Sequence, residues 1–264
     1  MLNSVTITSN RASLTFDLRS DDSGYIVENI EGLGPVKAEL TSTTYASFDG
    51  DRFQSARRGT RNIVMTIKIS PYFDVEALRD RIYAAVMPKD EVTFQVNKNG
   101  SLYSIAGYVE SVDPVIFSKD PKLTISIICF QPDFMEPYAS TVIGSANSET
   151  VIDYKGTIPS GFVLTLSKAD TNAVSNAYIQ SIANGVTNRY TFVGDILLGA
   201  PIIVDTNVGS RGITSSSYSY LTHVDEASVW IQLQPGPNKF KVVGTSTGAA
   251  LKWSLVFNNR FGAI

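Results

Sequence analysis

The sequence predicts a mainly β chain with one short helix, arranged as two regions. Three observations carry that reading. Residues Ile63 to Ile69 alternate strictly, with Ile63, Met65, Ile67 and Ile69 on one face and Val64, Thr66 and Lys68 on the other. That is the period of a half-buried strand. From Val75 to Met87 the period changes, because Val75, Leu78, Ile82, Ala85 and Val86 fall at helical spacing. Beyond residue 149, short apolar runs recur with turn signals between them, as in a two-sheet sandwich of jelly-roll or lectin-like kind.

The elements of the first region, 1–135, follow in order. Thr15 to Leu18, Tyr25 to Ile30 and Ala38 to Thr43 read as short strands. A Gly-bearing loop with Asp49-Gly50-Asp51 and Phe53 comes next, and Arg57, Arg58 and Arg61 lead into the alternating strand. Asp74 is placed to cap the helix, since its carboxylate accepts from free amides of the first turn. Pro88 stops it just past Met87. Glu91 to Val96 and Leu102 to Val112 read as a hairpin across Asn97-Lys98-Asn99-Gly100. Asn-Gly tolerates the positive φ of a tight turn, which accounts for the Asn99-Gly100-Ser101 glycosylation pattern. Leu123 to Phe130 reads as a central strand.

Two prolines in Gln131 to Pro137 and the small polar run Gly144 to Ser148 separate the regions. The second region, 136–264, offers strands at Thr150 to Tyr154, Gly161 to Ser167, Asn176 to Ile182, Asn188 to Phe192 and Ile202 to Asp205. Val229 to Leu233, Lys239 to Val243 and Leu251 to Asn258 complete the set.

Composition narrows the function. The 264 residues are 43% hydrophobic and 18% charged, a real core under a surface poor in charge. A net charge of -3 gives no nucleic-acid footprint. The N-terminus lacks a charged start followed by an apolar core, and the run Ile196 to Val204 is broken by Gly199 and Pro201. The chain therefore reads as a soluble intracellular product without a bilayer span.

Residues able to carry catalysis are scarce. His223 is the only histidine and lies in a polar, loop-like segment, so a nucleophile–His pair has one place to run through. Cys129 sits in an apolar run and reads as a buried small hydrophobe. One His and one Cys make no zinc set. The acidic pairs Asp21-Asp22, Asp49 with Asp51, and Asp225-Glu226 stand in turn contexts, where Asp bonds its own backbone. Asp49-Gly50-Asp51 lacks the ligand spacing of a calcium loop. No catalytic, cofactor or metal residue is assigned. Tyr178, Tyr190, Tyr218, Tyr220, Trp230 and Trp253 allow a sugar-stacking alternative, with both tryptophans read as core. The arginine cluster is the sharpest polar feature and reads as an interface, because the planar guanidinium pairs carboxylates in fixed geometry.

The chain resembles the distal tail protein (Dit) family of long-tailed phages. The resemblance rests on Ile30-Glu31-Gly32-Leu33, Asp49-Gly50, Phe53, Arg61, the strand Ile63 to Ile69 and the helix after it. In the second region it rests on Tyr154-Lys155-Gly156-Thr157, Gly194-Asp195, Ile203-Val204-Asp205-Thr206 and Leu233-Gln234-Pro235-Gly236-Pro237-Asn238. The second region carries no long insertion of the kind that holds receptor-binding proteins in some relatives. The resemblance implies an N-terminal barrel or split barrel that forms a ring, followed by a galectin-like β-sandwich. It implies a homo-hexamer in the virion, assembled in the host cytoplasm, between the tail tube protein and a tail-tip or hub protein. Its channel lets DNA pass without specific binding, and its outer domains anchor fibres or touch host glycans. Asp49, Asp51, Phe53, Arg57, Arg58 and Arg61 are the expected contacts to a neighbouring subunit or tail ring.

Overall fold

The computed structural model describes residues 1–47, 49–115, 118–170, 172–196, 200–215 and 224–264. They form two compact units, Met1–Pro137 with Phe261–Ile264, and Tyr138–Arg260. Regular structure is almost wholly antiparallel strand.

In the first unit, β1 (Leu2–Ser9), β2 (Ser13–Asp17) and β3 (Tyr25–Glu31) precede a two-stranded ribbon of β4 (Ala38–Thr44) and β5 (Asp51–Arg58). β6 (Arg61–Ile69), helix α1 (Val75–Ala85), β7 (Glu91–Lys98), β8 (Ser101–Val115), β9 (Lys122–Cys129) and the short β10 (Phe134–Met135) follow. The main sheet runs β2-β1-β7-β8-β9-β6-β3. Its two end strands share no ladder, so the barrel is of the split kind rather than closed. Phe16 of β2 and Tyr25 of β3 bridge the seam edge to face at 5.3 Å. The Tyr25 hydroxyl donates to the Leu78 carbonyl of α1 at 2.9 Å. Burial pushes that phenol's pKa up, which keeps it a donor.

The alternation in β6 buries what it predicts. Ile63, Met65 and Ile67 are wholly buried and pair with Ile127, Ile125 and Leu123 of β9. α1 presents Leu78, Ile82 and Ala85 to the same core. Asp74 caps the helix, accepting from the Ala77 amide at 3.1 Å. The helix ends at Ala85 rather than Met87. Val86 is already extended, and Pro88 disfavours helical backbone at Met87. Between β7 and β8, Asn99 and Gly100 both have positive φ, 52° and 89°, the requirement of a tight hairpin.

The second unit is a sandwich. β11 (Ser140–Ser145), β12 (Glu149–Tyr154), β13 (Val163–Ser167), β14 (Val174–Ala183), β15 (Val186–Thr191), β16 (Ile202–Asp205), β17 (Gly212–Ser215), β18 (Gly236–Ser246) and β19 (Lys252–Phe257) make two sheets. Their orders are β11-β19-β13-β16-β17 and β12-β18-β14-β15. Trp253 of the first sheet meets Phe240 of the second edge to face at 5.1 Å. Leu164, Val204 and Leu255 pack with Ile179 and Val242 around them.

Two turns are held by side-chain amides. Asn147 both donates to and accepts from the Gly244 backbone, at 3.0 and 3.4 Å. Asn238, fully buried, accepts from the Gln234 amide and donates to the carbonyls of Gln234 and Gly236. That clasp is the physical content of the Leu233 to Asn238 motif.

Several expectations change. β1 and β11 do not appear among the expected strands, yet both pair along their length. The run expected as a linker, Gly144 to Ser148, supplies the end of β11 and the Asn147 turn. Val229 to Leu233 buries Ile231 and Leu233 but forms no ladder among the described residues, holding the bridge Ser160–Leu233 and a bond from the Val229 amide to the Arg189 carbonyl at 3.0 Å. Apolar alternation there satisfies packing without a ladder. The last four residues belong to the first unit, not to the region 136–264. Phe261 packs edge to face on Tyr103 at 5.0 Å, and the Ile264 amide donates to the Leu33 carbonyl at 3.1 Å.

Candidate assembly surface

The segment holding most of the expected contacts is an arm, not a loop. β4 and β5 pair over their whole length, and every residue of both is exposed. Opposed residues share a face. One face carries Ala38, Leu40, Ser42 and Thr44 opposite Arg58, Ala56, Phe53 and Asp51. The other carries Glu39, Thr41 and Thr43 opposite Arg57, Ser55 and Arg52. The ribbon is therefore amphipathic, with Leu40 70% and Phe53 63% exposed on its apolar side. Covering either side chain fully is worth about 1.5–3 kcal/mol.

Side chains stiffen the ribbon. Asp51 accepts from the hydroxyls of Ser42 and Thr44, each at 2.9 Å. Arg57 pairs with Glu39 at 2.6 Å on the polar face. At the base, Arg58 makes a two-pronged pair with Asp133, whose side chain is mostly covered. Asp49 stands exposed at the tip beside Gly50. The structure thus places Asp49, Asp51, Phe53, Arg57 and Arg58 on one exposed arm.

Arg61 departs from that group. It opens β6 and is 1% exposed. Its Nε donates to Pro132 O at 2.7 Å, Nη1 to the carbonyls of Gly32 and Gly34, and Nη2 to Gly262 O at 2.7 Å. The guanidinium also lies 4.6 Å from the Phe134 ring centroid. Gly32 has φ +85°, and a Cβ there would stand 2.0 Å from the Asn62 carbonyl, so only glycine fits at this position and brings its own carbonyl to the arginine. Burial, partly offset by Asp133, draws the Arg61 pKa below its ordinary value. Arg61 is an internal staple that ties three stretches of chain together. It cannot offer its guanidinium to a neighbour.

The remaining candidates carry structure. Cys129 is fully buried on β9, and burial pushes its thiol up to about 11. Asp225 accepts from the Ala227 amide in a turn at 2.8 Å. The Asp21 carbonyl likewise accepts from Gly24 at 2.8 Å. No group of three or more His, Cys, Asp or Glu among the described residues is placed to hold a metal ion. No helix of the described residues is long and apolar enough to cross a membrane. His223, Tyr218 and Tyr220 lie outside the described residues. Of the other aromatics proposed for sugar, Tyr190 and Trp253 are buried, and Trp230 packs at 5.1 Å on Tyr190. The Arg189 guanidinium covers the Tyr178 ring at 3.6 Å.

Fold and surface together define a two-unit β scaffold that carries an exposed amphipathic arm. The Dit (gp 19.1) protein of phage SPP1, described as a paradigm of the hub adsorption apparatus in phages infecting Gram-positive bacteria, has this fold. It matches with a TM-score of 0.69 and 16% identity over 97% of this chain and 99% of its own. A chain of the phage P2 baseplate, in its activated conformation with Ca, matches over 100% of both chains at 10% identity and a TM-score of 0.47. No protein-family model and no curated protein matches the sequence. The fold implied by the sequence resemblance is the fold found.

Proposed function

We propose that this chain is a structural hub of a phage tail, forming a hexameric ring at the distal end between the tail tube and the tail tip. The observation that carries the reading is the full-length likeness in fold to the SPP1 hub protein. The exposed arm supports it, since a ring-former needs a surface that fits a neighbour and is unfilled in the single chain. Residues 1–135 form the ring in this reading. In the same reading the sandwich anchors fibres or touches host glycans. The channel passes DNA without binding a sequence. The protein works in the virion after assembly in the host cytoplasm, and its role is mechanical rather than enzymatic.

The contacts to the neighbouring subunit or tail ring are Asp49, Asp51, Phe53, Arg57 and Arg58. Arg61 supports them from inside by holding the start of β6. Negative-stain electron microscopy of the purified protein, with light scattering at micromolar concentration, tests the proposal. Six-fold rings are expected. A strictly monomeric chain that is also missing from rings in intact tails would remove it.

A further inference from the structure

Asn99-Gly100 and Asn184-Gly185 share both sequence and backbone shape. The first pair closes the β7–β8 hairpin between Lys98 and Ser101, and the second closes the β14–β15 hairpin between Ala183 and Val186. Their φ angles are 52° and 89° in the first turn, 51° and 77° in the second. All four residues are exposed. An Asn-Gly step carries a chemistry of its own, because glycine has no side chain to shield its amide nitrogen from the carboxamide before it. The surroundings of that nitrogen differ between the two turns.

At the first turn the Gly100 amide donates to Asn97 Oδ1 at 3.0 Å, and Asn99 Oδ1 accepts from the Met1 amino group at 3.0 Å. A Gly100 nitrogen stripped of its proton would face the Asn97 oxygen lone pairs, so the contact holds it in the unreactive form. β7 and β8 also lie inside their sheet, paired on their other sides with β1 and β9. At the second turn neither the Gly185 amide nor the Asn184 side chain has a partner among the described residues. β15 ends its sheet and has a ladder on the β14 side only, so this hairpin opens at lower cost. Opening matters, because ring closure needs a backbone angle at asparagine that the tight turn withholds.

We infer that Asn184 is a site of spontaneous covalent modification, deamidating through a succinimide while the matching Asn99 is protected. Base takes the Gly185 amide proton, and the nitrogen attacks Asn184 Cγ. The N–Cγ bond forms as the Cγ–Nδ2 bond breaks, and Nδ2 leaves with a returned proton as ammonia. Water then opens the ring at either carbonyl, giving aspartate or isoaspartate. The sequence consumes water and needs no oxidant, reductant or partner. Both products place a negative charge on the exposed turn. Isoaspartate also adds a carbon to the backbone of a two-residue turn, which loosens the Ala183–Val186 closing pair.

The test holds the full chain at mildly alkaline pH and follows the two Asn-Gly peptides by mass spectrometry. The readout is the gain of about 1 Da that exchanging an amide for an acid brings. In the folded chain Asn184 is expected to convert at least about tenfold faster than Asn99, a barrier difference of about 1.4 kcal/mol. In urea the two rates are expected to converge. Asn97→Ala frees the Gly100 amide and is expected to speed conversion at Asn99. Asn184→Gly keeps a residue that tolerates positive φ and is expected to abolish conversion in its own peptide. Equal rates in the folded chain, or faster conversion at Asn99, overturn the inference, and this comparison needs no variant. A contrast that survives in urea overturns it too, because local sequence rather than the fold would then set the rates.

Discussion

Strands β5 and β6 are separated only by Gly59 and Thr60, and an arginine stands at each side of that step. β5 is exposed along its whole length, whereas in β6 every second residue is buried. The two arginines share that contrast. Arg58 sits at the surface against one carboxylate, and Arg61 is buried among four carbonyls. Residue type does not explain the difference. β6 carries Ile63, Met65, Ile67 and Ile69 at period 2, enough apolar area to pull the strand into a core, and Arg61 is in phase with them. β5 offers only Phe53 as a large apolar side chain, so nothing draws it inward. An arginine in phase with a buried row must find its hydrogen bonds inside, and here glycine carbonyls supply them.

The comparison breaks most directly at Arg61. Replacing Arg61 with Ser should cost on the order of 3–5 kcal/mol, since buried carbonyls lose their donor. Urea unfolding measures it, and a loss below about 1 kcal/mol would mean that the staple is idle. Next comes Ile67→Ala, which should cost about 2–5 kcal/mol in the same assay through lost burial and a residual cavity.

A pH series sharpens the view of the β6–β9 core. Cys129 is held protonated in the fold, with its thiol pushed up to about 11. The unfolded chain ionises first, near pH 8.5, so stability is full below that value and falls as the pH climbs towards the folded pKa. Over the whole window the loss is about 3–4 kcal/mol. Stability measured between pH 8 and 10 should fall in the wild type and lose most of that slope in Cys129→Ala. Equal slopes would show that the thiol ionises alike in both states.

The exposed side of the comparison predicts small effects. Phe53→Ser and Arg57→Ser should each change monomer stability by less than about 1 kcal/mol, because neither contact is buried. Their effect should appear in assembly. A monomer destabilised by Phe53→Ser as strongly as by Ile67→Ala would place the arm inside the fold after all.

Much of the first unit was legible. The β6 alternation, the Asp74 cap and the Asn99-Gly100 turn each depend on neighbours a few residues away. β1 was harder to see, because Leu2 to Ser9 has only two large residues, Val5 and Ile7, that become fully buried. β11 ends in the small polar run that resembles a linker. Its Gly144 is required because a Cβ there would stand 2.4 Å from the Trp253 ring. The arm's amphipathicity depends on the register of β4 against β5, including a bulge at Thr41/Ser42, and spacing within one strand does not give that register. Leu40 and Ala56 were therefore missing from the expected surface.

Local chemistry alone determined the β class, the single helix with its start, the tight turns and the burial of Cys129. These follow from side-chain period, capping and the φ of individual residues. Tertiary structure decided the direction of each arginine, the face on which Phe53 joins Leu40, and the return of Phe261–Ile264 to the first unit. Each of these depends on groups far apart in the chain. Arg61 and Gly262 are 201 positions apart, and no short-range pattern records that the carbonyl of one will satisfy the donor of the other.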